Sequence, residues 1–98
     1  MTKRERILQE NEEILLELEQ LMVELTRIQA ERIRIQAELE LLRQRRWLTL
    51  AQASIFGSFL SRFQALEVES AMLKEKVLRL RRRALHLNEE SKTLSTIA

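Results

Sequence analysis

From Ile7 to Arg46 the chain keeps a heptad repeat without a break, and Glu fills the same position of every heptad. The d positions are Ile7, Ile14, Leu21, Ile28, Ile35 and Leu42, and the a positions are Asn11, Leu18, Leu25, Arg32, Leu39 and Arg46. Glu10, Glu17, Glu24, Glu31 and Glu38 occupy g. Apolar side chains at 3-4 spacing line one stripe of a helix, and such a stripe is buried by pairing with another helix. Coiled-coil packing is therefore the route to a core. A second frame opens at Phe56, with a at Phe56, Phe63, Ser70, Val77, Ala84 and Ser91. Its d positions are Phe59, Leu66, Leu73, Leu80, Leu87 and Leu94. Residues 47–55 shift the phase between the two frames by three.

The composition excludes the alternatives. The chain has 98 residues, no Pro, no Cys, no Asp, and Gly57 as its one Gly. It lacks the turn formers of hairpins, sandwiches and βα loops, while Leu, Glu, Gln and Arg favour helix. One all-α coiled-coil domain over 1–98 is expected. Without Cys there is no disulfide framework, thiolate nucleophile or zinc ribbon. A lone His86, with no Asp or Cys, supplies neither a triad nor a metal cage. The Glu stripe lacks the Glu-x-x-His pairs of carboxylate-bridged bundles, because Arg83 stands three residues before His86. No enzyme activity, cofactor or metal is expected. No secretory leader opens the sequence, so the expected location is cytoplasmic or nuclear.

The phase shift has two readings. A stammer would leave long continuous helices that pair antiparallel between chains. A turn would give a helical hairpin. Thr49 and Gln52 have the spacing of a capping box, and Arg43, Arg45 and Arg46 lie where cations favour a helix C-terminus. The turn predicts helices over about 3–46 and 50–93. Antiparallel layering then sets Leu18 against Leu80, Leu21 against Val77, and Leu25 against Leu73. It also sets Ile35 against Phe63 and Leu39 against Phe59. The charges follow the same arrangement. Residues 10–24 carry six Glu and no base, whereas 74–83 carry six Lys or Arg and one Glu. The register places Glu17 near Arg83, Glu24 near Lys76 and Glu38 near Arg62. It leaves Glu31 facing Glu69 and Glu10 facing Glu90.

One seam between two helices makes a small core, and apolar residues remain outside it. Leu8, Leu15 and Met22 fill e positions beside Leu16 and Val23, while Val68, Met72, Leu78 and Leu85 lie off the second seam. Helices that are apolar on more than one side are buried on more than one side. A homodimeric four-helix bundle, or a complex with helical protein partners, is expected. Asn11 and Arg32 interrupt the seam and are read as register-setting residues. Arg32 has the reach to extend past the seam toward Glu31, Glu67 or Glu69.

Two further segments carry partner chemistry. Arg79, Arg81, Arg82 and Arg83 cluster as phosphate binders do. They spread around the helix near acidic residues without interleaved aromatics, so a nucleic-acid partner is disfavoured. Residues 47–61 carry no charge and contain Trp47, Ile55, Phe56, Phe59 and Leu60. That stretch is too short to span a bilayer. It reads first as the packed tip of the bundle, next as a partner-docking tip, and last as a membrane-surface contact. The function that follows is a non-enzymatic oligomerisation or scaffold module, with a basic adaptor for nucleic acid or a membrane surface as the alternative.

Overall fold

The structure, a computed structural model, describes residues 2–97, with side chains over 2–95. It is an all-α helical hairpin of α1, Lys3–Arg43, and α2, Leu50–Ile97. The turn at 44–49 excludes the continuous helix. Among the described residues there is no strand.

Both helices begin at a threonine cap. Thr2 Oγ1 accepts the Glu5 N–H at 3.2 Å, and the Thr2 carbonyl accepts the Arg6 N–H at 3.1 Å. At α2 the box is reciprocal: Gln52 N–H donates to Thr49 Oγ1 at 3.2 Å, and Thr49 N–H donates to Gln52 Oε1 at 3.1 Å. These bonds satisfy donors that the first turn of a helix leaves without partners.

The helix ends differ from the sequence expectation. α1 stops at Arg43, not near residue 46, and α2 runs to Ile97, not near residue 93. At the end of α1, Gln44 N–H reaches the Glu40 carbonyl at 3.2 Å. Arg45 N–H then turns back to Leu42 at 3.2 Å, the tightened bond with which helices close. No described residue has a positive φ. The reversal therefore uses no left-handed residue, which explains how it forms without Gly or Asn at the cap. No Gly or Pro follows residue 93 to stop α2, and Leu94 packs onto the seam there.

The hairpin comprises two compact units. The first holds the residues up to Val23 and those from Leu73 onward. Ile7, Ile14 and Leu87 form one buried cluster, with Leu18, Leu80, Ala84 and Leu94 packed against it. Ile7 and Ile14 are about 10.5 Å apart along a helix at 1.5 Å per residue. Leu87 joins them, so it lies between them, level with Asn11. This is the antiparallel register expected from the layering. Leu21, Leu73 and Val77 are also buried in this unit.

The second unit spans Glu24–Met72 and contains the turn. Ile28, Ile35, Leu39, Leu66 and Ser70 are buried, while Leu25, Leu42, Phe59 and Phe63 are half-buried. Arg27 bridges to Glu69 at 3.6 Å and Arg32 to Glu67 at 3.5 Å. The Arg27–Glu69 pair lies next to Ile28 and Ser70 in the sequence, and both of those residues are buried.

Candidate functional site

The candidate site is the outer surface of the hairpin, because the seam consumes the buried side chains. In an antiparallel pair the g positions of both helices line one flank and the e positions line the other. On the g flank, Arg62 grips Glu31 with two bonds: Nε to Oε1 at 3.0 Å and Nη2 to Oε2 at 3.3 Å. Arg83 Nη2 donates to Glu10 Oε2 at 2.7 Å. Arg27 stands between Glu31 and Glu69, at 3.7 Å and 3.6 Å. The hydrogen bonds from Arg62 are the main cause holding the Glu31 carboxyl below its usual range, helped by the charges of Arg62, Arg27 and Arg34.

The ion pairs correct the sequence expectation. Arg83 was expected beside Glu17 and Arg62 beside Glu38; each instead takes the Glu one heptad earlier. The chosen acids are the two that otherwise faced Glu69 and Glu90. A long guanidinium has reach for either choice, and the pair that also relieves like-charge repulsion wins. Glu90 instead lies 2.9 Å from His86 Nε2. Glu17, Glu24, Glu38 and Lys76 form no ion pair among the described residues.

Arg32 occupies its a position with its guanidinium carbon 5.3 Å from the centre of the Phe63 ring. Its Nη2 reaches Glu67 at 3.5 Å, but its buried Nε has no hydrogen-bond partner. Asn11 is half-buried beside a cleft lined by Ile7, Leu8, Ser91 and Leu94. Both residues break the apolar seam at the places the heptad assigns them.

Among the described residues, Lys74, Lys76, Arg79, Arg81 and Arg82 are exposed and form no ion pair. Arg83 is the member of the Arg79–Arg83 run that does. Glu12, Glu13, Glu17 and Glu19 on α1 are likewise exposed and outside any ion pair. Between these charges lie apolar side chains. Leu8, Leu15, Leu16, Met22, Val23, Leu78 and Leu85 in the first unit, and Val68 and Met72 in the second, are all at least half exposed.

The tip departs from the packed core expected of it. Trp47 is 74% exposed and Leu50 93% exposed, while Ile55 and Leu60 are also exposed and Phe56 is half-buried. Trp47 precedes the Thr49 cap, so it lies outside both helices and their seam. Arg46, assigned to the last a position by the heptad, falls beyond the end of α1 and sits 5.7 Å from the Trp47 ring centre.

The sequence reading missed the Thr2 cap, whose signal is Thr2 followed by Glu5 at capping-box spacing. Among the described residues, no group of three or more His, Cys, Asp or Glu is placed to hold a metal ion. No helix there is long and apolar enough to cross a membrane. Comparison with family models, curated proteins and solved structures gives no match.

Proposed function

We propose that this protein is a non-enzymatic coiled-coil assembly module, joining copies of itself or helical partners into a larger bundle. The observation that carries this reading is the number of large apolar side chains left exposed outside the seam. Each Leu-sized group gains about 1.5–3 kcal/mol when fully buried. Contiguous patches above a few hundred Å² mark interaction surfaces more often than idle ones. A lone hairpin leaves that free energy unused; a third or fourth helix recovers it. The polar seam residues Asn11 and Arg32 would then hold register while the outer faces supply association.

Sedimentation velocity of the full chain across a micromolar concentration series tests the proposal. Association without added ligand is the expected result. A helical monomer of 11.7 kDa at every concentration would contradict self-assembly and leave heterologous helical partners as the reading to pursue.

The second reading rests on the exposed cations Lys74, Lys76, Arg79, Arg81 and Arg82, which suit phosphate groups of nucleic acid or a membrane surface. Binding to duplex DNA that falls steeply with salt, or flotation with anionic vesicles, would favour it.

A further inference from the structure

We infer that the first unit docks a second copy of itself, with α1 of one protomer lying along α2 of the other. This rests on the assembly reading and goes further by assigning the face and the order of helices. Leu8, Leu15 and Met22 stand at successive e positions of α1. Leu78 and Leu85 stand one heptad apart at b positions of α2, on the same flank of the hairpin as the e residues. All five are exposed, Leu15 at 60% and Leu85 at 64%. The register set by Leu87 brings Leu85 and Leu15 to nearly the same level, so the five make one strip.

The size of the strip suits a dimer. A Leu-sized side chain offers on the order of 100 Å² to bury. Five of them, with Leu16, Val23 and the stems of the neighbouring Lys and Arg at the margin, approach the roughly 800 Å² per partner of an ordinary stable interface.

Charge selects the occupant and its orientation. Beside this strip α1 carries Glu12 and Glu19 at b positions, and α2 carries Lys74 and Arg81 at e positions with Arg82 next to them; all are exposed and outside ion pairs. A surface with an acidic half and a basic half is self-complementary under a two-fold rotation that lays each half on its opposite. Such an isologous contact closes on itself and stops at two copies. Stacking α1 on α1 would place acid against acid, and the same rotation would place base against base.

The chain has no Cys, so introduced thiols report on this geometry without background. Leu15→Cys and Leu85→Cys change exposed positions and leave the seam intact. Each variant is first sedimented under reducing conditions, then oxidised alone and as an equimolar mixture. The expected result is association of each variant, a strong Leu15→Cys to Leu85→Cys cross-link in the mixture, and little disulfide in either variant alone. Associated protein that cross-links most strongly within Leu15→Cys alone would overturn the inference and leave the assembly reading intact. Associated protein without any cross-link would also overturn it, because the face would not be the interface. Variants and unmodified chain that all sediment as monomers would overturn self-association itself.

Discussion

The two units share one seam design and differ in how their flanks are satisfied. In the unit from Glu24 to Met72, Arg27, Arg32 and Arg62 bridge from helix to helix onto Glu69, Glu67 and Glu31. In the unit containing Ile7 and Leu87, Arg83 bridges between the helices to Glu10. Glu12, Glu19, Lys74, Arg81 and Arg82 of this unit are exposed beside an exposed apolar strip. Both units leave large apolar side chains in water, Trp47, Leu50, Val68 and Met72 in the second and Leu8, Leu15, Leu78 and Leu85 in the first. An exposed surface ion pair contributes only about 0–1 kcal/mol, whereas each large apolar group left in water forgoes more. If the first unit docks a second copy as proposed, the gain comes from its exposed leucines rather than from its ion pairs.

The largest expected effects separate buried from exposed leucines. Leu66→Ala, at a side chain 0% exposed, should cost about 2–5 kcal/mol of stability in chemical denaturation. Leu15→Ala should change stability by no more than about 0.5 kcal/mol in dilute protein, and by more as concentration rises. Equal losses for both at low concentration would erase the distinction between seam and outer strip.

Arg32→Leu comes next and should raise stability. It removes a buried Nε without a partner, a group whose desolvation costs about 1–3 kcal/mol, and gives the seam an apolar side chain. Loss of the Phe63 contact and the Glu67 bridge opposes this gain. Thermal melts decide between them, and a marked fall in Tm would show that Arg32 supports the second unit through those contacts.

Gly57→Ala should stabilise by about 0.5–1 kcal/mol, since an added Cβ meets no atom within 4 Å and the residue lies inside α2. A loss would mean that the helix near the tip needs the freedom of glycine.

The smallest effect concerns pH. The folded Glu31 carboxyl lies below its ordinary range. Its contribution is thus complete above the unfolded value of about 4.3 and fades as pH falls through the lower folded value. The stability gap between the unmodified chain and Glu31→Gln should narrow steadily on acidification. A constant gap would show that Arg62 does not hold the charged carboxylate.

What the sequence made legible follows from the range of the interactions. The heptads place the seam residues, and the Thr49–Gln52 spacing places the turn, because both depend on neighbours within a few residues. The partners of Arg62 and Arg83 were not legible, since each side chain reaches two Glu a heptad apart and the choice turns on other charges nearby. The end of α1 was equally hidden: no Gly or Pro marks Arg43, and a bond from Arg45 to Leu42 does the work instead. Trp47 resembled core by its chemistry, but it lies before the cap, where no seam exists to bury it.

The central proposal is that association runs through the first unit rather than the second. Amide hydrogen exchange of the full chain at low and high protein concentration tests it most directly, by comparing residues 2–23 and 73–95 with residues 24–72. The account expects protection in the first set to rise with concentration beyond any rise in the second. Protection that is independent of concentration throughout, or that rises chiefly in residues 24–72, would contradict it.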